Sequence, residues 1–433
     1  AAGALAEWKL SATVPADARP TIPYFLRKPL NGGMYDWSLA PAAARGEPFA
    51  PPPLTATFAL RIGSSRVTVA REATFRYRDE EFGEIRHAVR AVPKVELSVE
   101  PSLLVLPIHR AVVPARFSVT VSSNAAGLVS GRIEARAPAG WSAAPQAFSL
   151  ARKGDRAFLE LALVPPASGA RSGRLEVPVV AVLDSGERFQ MSVGVIDYEH
   201  IRPVPFPREG SVAVTLLDLR LPKLSNVGYV RGASDRVPEE LLAVGIPVRM
   251  LSGGDLEHGD LSRYDAIVIG VRAYETEPAL VRANGRLLDW VRAGGLLIVQ
   301  YQQVGFTEGA FAPEKLEIRR PIDRVTDETA PVTILEPAHL IFRVPNAIGP
   351  DDWAGWVQER GIYFARTWAP AYTPLLAMAD PGEPEQRGSL LVATIGKGHY
   401  VYTGLAFFRE LPAGVPGAYR LFANLLAWTA KRP

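Results

Sequence analysis

Polar side chains gather where three short apolar runs of this sequence end. Runs of this kind are typical of buried strands, and open α/β sheets bind ligands beyond the carboxyl ends of their strands. Arginine forks suit a carboxylate or phosphate, and amide and phenol groups can hydrogen-bond a sugar-like ligand. We therefore predict a shared ligand site built from Arg231, Asp235, Arg272, Tyr274, Gln300, Tyr301 and Gln302.

A purely structural role fits the same residues. Asp235 or Ser234 can cap the helix expected from Val237 onward. Arg231 and Arg272 can pair with nearby acids and hold their loops in place. In that alternative the two arginines share no open crevice.

Two further loop-like segments, residues 324–328 and 356–363, combine charged and aromatic side chains. Aromatic faces beside carboxylates suit sugar recognition, whereas packed aromatics and solvated charges are the structural alternative. The candidate ligand residues of these segments are Asp327, Glu328, Trp356 and Glu359.

No catalytic set is evident. The chain contains no cysteine, which excludes disulfides, thiolate zinc ligands and a cysteine nucleophile, and it has no Gly-x-Ser-x-Gly elbow. Zinc needs about three protein ligands, but the histidines are scattered. They are His87, His109, His200, His258, His339 and His399. We expect no catalytic residue, metal or cofactor; a hydrolase with an unrecognised site is kept as an alternative.

Composition sets the class of protein. With 433 residues, 48% hydrophobic and 21% charged, the chain has the composition of a globular protein of several domains. Its 48 Lys and Arg are dispersed among 45 Asp and Glu, so we expect no nucleic-acid partner. No apolar stretch approaches the roughly 18 residues of a membrane span, and the first residues lack the pattern of a signal peptide.

Hydrophobic periodicity divides the chain into β-rich and α/β parts. Residues 1–93 are predicted to form a β-sandwich-like domain with a Pro/Gly-rich excursion, and residues 94–196 an immunoglobulin-like β-sandwich. Residues 197–222 form a linker or strand. Residues 223–433 alternate strands and helices, which favours a parallel sheet covered by helices. The expected strands there are 227–230, 248–251, 266–270 and 296–299, with a later hairpin of 390–394 and 399–403.

Three segments resemble a known family. They are residues 197–203 (DYEHIRP), 228–238 (GYVRGASDRVP) and 398–419, which contains YTGLAFFR. Together they are similar to the C-terminal region of large bacterial PIG-L/LmbE-like deacetylases. The resemblance implies immunoglobulin-like β-sandwich modules followed by a flavodoxin-like domain of the class I glutamine amidotransferase type. It also implies a secreted, periplasmic or cell-surface location.

The sequence departs from that family at both catalytic positions. The His-Pro-Asp-Asp zinc motif of the deacetylase domain is missing, since Gly349 precedes Pro350, Asp351 and Asp352. The turn at residues 299–303, which matches the amidotransferase nucleophile turn, has no cysteine. The resemblance thus implies an accessory region whose partner is a carbohydrate or an upstream deacetylase domain. The alternative is a carbohydrate-binding or self-assembling envelope protein that forms homo-oligomers through β edges.

Overall fold

The computed structural model describes residues 7–15, 17–31, 33–47, 49–109, 114–166 and 171–429. The chain divides into two compact units. The first comprises Ala1–Ser102, Pro114–Val164 and Glu176–Val212, and the second comprises Leu103–Val113, Pro165–Leu175 and Ala213–Pro433. The first unit is built from β-strands, and every α-helix of the described chain lies in the second.

Within the described residues, sixteen strands precede residue 218. They are β1 Thr55–Ile62, β2 Ser65–Glu72, β3 Thr74–Asp79, β4 Gly83–Ala88, β5 Val95–Glu100, β6 Leu103–Pro107, β7 Ala115–Ser123, β8 Val129–Ala135, β9 Ser142–Ala143, β10 Gln146–Leu150, β11 Arg156–Val164, β12 Gly173–Leu183, β13 Arg188–Phe189, β14 Met191–Ile196, β15 Val204–Glu209 and β16 Ser211–Leu217.

Strands and helices then alternate. They are β17 Val227–Val230, α1 Val237–Val244, β18 Val248–Met250, α2 Gly253–His258, β19 Ala266–Ile269, α3 Ala273–Thr276, α4 Pro278–Arg292, β20 Leu296–Gln300, α5 Val304–Glu308, β21 Leu316–Glu317, β22 Asp323–Val325, β23 Val332–Ile334, β24 Gly361–Phe364, β25 Thr367–Trp368, β26 Thr373–Pro374, β27 Leu376–Met378, β28 Leu390–Ile395, β29 Gly398–Thr403, α6 Phe407–Glu410 and α7 Pro416–Ala427.

Two larger sheets take strands from the first unit, and strands such as β5, β7 and β8 alternate buried and less buried residues. One sheet has the order β5-β7-β11-β9, and β10, β8 and β12 are successive neighbours in the other. Leu97 lies opposite Val121 in the β5–β7 pair, and both side chains are buried. Their neighbours along the chain are less buried, as expected for strands with one face in the core. The predicted arrangement of β-sandwich sheets followed by an α/β domain is confirmed.

The strands upstream of residue 93 pair as two separate hairpins, β1–β2 and β3–β4. The turn expected at residues 63–65 is present, with Gly63 at a φ of +60°. The apolar row Phe58, Leu60 and Ile62 lies on one face of its hairpin, as its period of two indicates, but it is exposed. Period-two alternation shows which side chains share a face; it does not show that another sheet covers that face.

The second unit is organised around a seven-stranded sheet with the order β18-β17-β19-β20-β29-β28-β26. The first five strands are parallel, and β28 and β26 run antiparallel at one side. Numbered along the chain, the parallel strands follow the order 2-1-3-4-5 of flavodoxin-like sheets. No helix in the described ranges has the length and apolar character needed to span a membrane.

Alternate side chains of the parallel strands belong to two different hydrophobic clusters, one on each face of the sheet. Ala266 and Val268 belong to one cluster, and Ile267 and Ile269 belong to the other. This is why the strands read as continuous apolar runs rather than alternating ones. The chain leaves the sheet after β17, β19, β20 and β29 along one side, which we call the carboxyl edge.

Candidate ligand-binding site at the carboxyl edge

The predicted residues at strand ends do follow neighbouring strands. Val230 lies opposite Ile269, and Ile269 lies opposite Val299. Arg231, Arg272 and Tyr301 therefore begin adjacent loops of the carboxyl edge. Sheets with this strand order bind ligands at this edge.

A buried network occupies the edge between β17 and β20. The Tyr229 hydroxyl donates to Asp235 Oδ2 over 2.7 Å and accepts from Gln300 Nε2 over 2.7 Å. The backbone N–H groups of Val237 and Gly232 also donate to the Asp235 carboxylate, over 3.1 and 3.3 Å. Burial raises the pKa of the Asp235 carboxyl, and these hydrogen bonds oppose that rise.

Beside this network, the loops after β17 and β19 contact each other directly. The Ala233 N–H donates to the Val271 carbonyl over 2.9 Å. A Cβ at Gly270 would lie 2.2 Å from Asp235 Oδ2, so a larger residue there cannot fit without movement. Asp235 and Gln300 thus have internal hydrogen-bonding roles, with Asp235 holding the first N–H of α1.

Arg231 contacts its own loop and the following helix. Its Nη1 donates to the Asp235 carbonyl over 2.5 Å, and its Nη2 pairs with Glu239 of α1. These contacts match the loop-holding role that the sequence left open.

Gln302 and Tyr274 also bond within the chain. Gln302 Nε2 donates to the Gly270 and Gln300 carbonyls over 2.9 and 2.8 Å, and its Oε1 accepts the Tyr274 N–H over 3.2 Å. The Tyr274 hydroxyl donates to Asn284 Oδ1 over 2.6 Å. Both side chains are buried, so they shape the loops from within.

A more open group surrounds Tyr301. Its ring stacks on Tyr363 with centroids 5.3 Å apart and meets the Phe408 ring edge-on at 5.4 Å. The Arg272 N–H donates to the Tyr301 carbonyl over 3.0 Å, which joins the loops after β19 and β20. We use the name Tyr301 cluster for Arg272, Glu275, Tyr301, Gln358, Glu359, Tyr363, Phe408 and Arg409.

Two ion pairs flank the aromatic rings of the Tyr301 cluster. Arg272 Nη2 lies 2.8 Å from Glu275 Oε2, and Arg409 Nε lies 2.9 Å from Glu359 Oε1. The arginine side chains are 40% and 38% exposed, so both guanidinium groups remain accessible to solvent.

Tyr301 presents a protonated hydroxyl to these charges. Burial raises the pKa of Tyr301 to about 12, and the neighbouring Arg272 and Arg409 partly oppose the rise. Among the described residues, none hydrogen-bonds this hydroxyl, and it is not one of the fully buried, unsatisfied polar atoms. Tyr301 is only 8% exposed, like Tyr274, but its hydroxyl retains some contact with solvent and has no internal partner, so it can bond to a ligand.

The backbone of the Tyr301 cluster adopts an unusual conformation. Arg272, Gln358 and Tyr363 have φ values of 58°, 68° and 55°. Left-handed backbone is uncommon for residues other than glycine and tends to occur at functional sites. Two such residues contact Tyr301 and the third contacts Arg409, which favours this group as the candidate site.

A buried carboxyl lies directly behind the cluster. One oxygen of Glu410 accepts the Val357 N–H over 3.0 Å, and its Oε1 has no partner in the described chain. Burial raises the pKa of Glu410 to about 8, opposed by the neighbouring Arg360. The Arg360 guanidinium is itself buried and donates to the Ala330 and Trp353 carbonyls.

The candidates from the two later loops are distributed differently. Glu359 belongs to the Tyr301 cluster through Arg409, whereas the buried Trp356 packs against Trp353 at 5.5 Å. Asp327 accepts from the Thr329 N–H and hydroxyl, over 2.8 and 2.6 Å. Burial lowers the pKa of Arg360, and Asp327 and Glu328 lie close enough to oppose that change.

Sequence reasoning did not select Tyr363, Phe408 or Arg409 as site residues. Arg409 follows β29, so the strand-end rule applied to Gln300 could have been extended to it. Tyr363 lies within β24, far from Tyr301 in sequence, and no local pattern indicates that contact. Within the described ranges, no three His, Asp or Glu side chains are grouped as a metal site requires.

Comparisons with known proteins give coarse similarities. No protein-family model and no curated protein matches the sequence. The cytoplasmic protein STM3548 from Salmonella typhimurium is 12% identical with a TM-score of 0.34, over 56% of this chain and 96% of that one. The cytoplasmic protein STM1381 from Salmonella typhimurium LT2 is 13% identical with a TM-score of 0.34, over 47% and 98%. A β-galactosidase from Rahnella sp. R3 is 16% identical with a TM-score of 0.29, over 45% of this chain and 31% of that one. Similarities of this size carry no inference about function.

Proposed function

We propose that this chain is a non-catalytic binding region in which the Tyr301 cluster holds a small polar ligand. The observation that carries the proposal is Tyr301 itself, which follows β20 in the turn that the sequence resemblance matches to the amidotransferase nucleophile turn. Its free hydroxyl, its aromatic neighbours and two accessible arginines suit recognition of a sugar-like or anionic molecule.

The chemistry of the cluster supports binding over catalysis. The chain has no cysteine, and Tyr301 is protonated at neutral pH, since burial raises its pKa further above the ordinary value of 10. Glu359 is held in an ion pair, and Glu410 is buried behind the cluster. In a protein of the family that the sequence resembles, such a region would support an upstream N-acetyl-sugar deacetylase domain, outside the cytoplasm.

Glutaminase activity is expected to be absent, because no thiol exists to form the acyl-enzyme. The measurement is ammonia release from glutamine by the purified chain, compared with the heat-inactivated protein. Release above that control would refute the non-catalytic assignment and favour a hydrolase.

Ligand binding is expected to depend on Arg272. Losing a charge-assisted hydrogen bond costs about 1.5–3 kcal/mol, which weakens affinity by roughly 10- to 150-fold. We would titrate wild type and Arg272→Ala with neutral and acidic monosaccharides and follow binding by saturation-transfer NMR. The matched control is Arg292→Ala, since Arg292 forms an i,i+3 ion pair with Asp289 at the end of α4, before β20 begins. Equal affinities in the wild type and Arg272→Ala would contradict the proposed site.

A further inference from the structure

The charges of the Tyr301 cluster cancel in pairs. Arg272 forms an ion pair with Glu275, and Arg409 forms one with Glu359. The nitrogen–oxygen distance is less than 3 Å in each pair. Tyr301 adds no charge at neutral pH, because burial holds its pKa far above that range. A ligand therefore meets side chains rich in hydrogen-bonding groups whose own charges sum to zero.

The cluster offers both donors and acceptors. The contacts of Arg272 use Nε and Nη2, which leaves the N–H groups of Nη1, and those of Arg409 use Nε and Nη1, which leaves Nη2. The carboxylates of Glu275 and Glu359 each use one oxygen in these contacts and keep the other as an acceptor. The Tyr301 hydroxyl can do either.

We infer that the ligand of the Tyr301 cluster is an uncharged sugar ring. Each hydroxyl of such a ring both donates and accepts, so it can bridge an arginine and its paired glutamate without breaking the pair. An acidic ligand would bring its carboxylate beside Glu275 and Glu359, and an amino sugar would bring its ammonium beside two guanidinium groups. Either charge loses hydration without gaining a net opposite charge.

The aromatic residues favour the same class of ligand. Tyr363 and Phe408 are partly exposed and form an aromatic wall beside Tyr301. Tyr363 stacks on the Tyr301 ring at 5.3 Å, and Phe408 meets that ring edge-on at 5.4 Å and carries the Arg409 guanidinium 4.8 Å from its own centroid. Such a wall can contact the C–H groups of a sugar ring while the polar groups at its rim bind the hydroxyls. This inference rests on the proposed function and narrows its ligand.

The test uses matched methyl glycosides of glucose, galactose and mannose, each as the neutral sugar, the 6-carboxylate and the 2-amino derivative. Dissociation constants would be measured by NMR titration for the wild type, Tyr301→Phe and Arg272→Ala. We expect one neutral glycoside to bind at least about tenfold more tightly than both of its charged partners and to lose about tenfold or more in each variant. Its affinity should change little with added salt, because a neutral ligand has no charge for salt to screen.

Two other outcomes are distinguishable. If a charged derivative binds most tightly and the variants weaken it, the site is correct and the inference of a neutral ligand is wrong. If no glycoside binds, or if binding is equal in the wild type and both variants, the inference and the proposed function both fail. Tyr301→Phe removes one oxygen from a residue that packs through its ring, so the variant is expected to remain folded.

Discussion

Replacing Asp235 with alanine is expected to destabilise the α/β fold of the second unit by about 4 kcal/mol, because several buried donors lose one acceptor together. The Tyr229 hydroxyl and the N–H groups of Gly232 and Val237 all donate to this carboxylate. Tyr229 is completely buried, so its hydroxyl has no access to water in compensation. The measurement is the free energy of urea unfolding, followed by far-ultraviolet circular dichroism.

Two variants control this prediction. Asp235→Asn keeps the size and one oxygen acceptor, so it should cost less than half as much as alanine. Asp289→Ala removes an exposed carboxylate that pairs with Arg292 and should change stability by no more than about 0.5 kcal/mol. If Asp235→Ala unfolds at the same urea concentration as wild type, the network does not stabilise the sheet edge.

The stability of the second unit is expected to fall between about pH 4.5 and pH 8 through one residue, Glu410, whose pKa is raised from 4.5 to about 8. In this range the folded chain holds a proton on Glu410 that the unfolded chain has released. Its contribution is therefore fully present below the unfolded pKa and is lost as pH rises through the folded pKa. One pKa unit corresponds to about 1.4 kcal/mol, so the change from pH 5 to pH 8 is on the order of 3–4 kcal/mol.

The substitution Glu410→Gln isolates this effect from the other titrating groups. The amide keeps an oxygen that can accept the Val357 N–H but cannot ionise. The difference in unfolding free energy between the variant and wild type should therefore shift in favour of the variant by about 3 kcal/mol from pH 5 to pH 8. Tryptophan fluorescence is a suitable signal, since Trp353 and Trp356 lie nearby.

Ala413→Gly serves as the comparison, because it changes the segment after α6 without adding or removing a titrating group. Its difference from wild type should be the same at both pH values. A constant difference for Glu410→Gln as well would mean that Glu410 is ionised in the folded protein.

Much of the α/β architecture could be predicted from the sequence, because buried parallel strands carry a strong local signal. The runs around Val227 and Leu296, and the hairpin around Gly396, lie where the apolar pattern placed them. The first two hairpins show the limit of such patterns. The alternation correctly places Phe58 and Ile62 on one face of the first hairpin. Whether another part of the chain packs on that face is not encoded in the local pattern, and both side chains are exposed.

The candidate site could be predicted only in part. The strand-end rule selected Arg272 and Tyr301 of the Tyr301 cluster, and the loop-like segment 356–363 supplied Glu359. The strand-end rule does not show which side chains point into the protein. Gln300 is an example, because it is completely buried and donates to Tyr229, 71 residues away in sequence. Tyr363 joins the cluster from a distant segment with a φ of 55°, which the sequence does not indicate for a tyrosine.

The most direct test of ligand binding at the Tyr301 cluster is ¹⁹F NMR of protein labelled with 3-fluorotyrosine. The Tyr301 resonance is assigned from the spectrum of Tyr301→Phe, and the labelled protein is titrated with the neutral methyl glycosides. Binding at the cluster predicts that the Tyr301 signal shifts in a saturable way, together with that of its stacking partner Tyr363. A Tyr301 signal that stays fixed while other tyrosine signals respond to a saturating glycoside would place the binding site elsewhere and contradict the proposed function of the cluster.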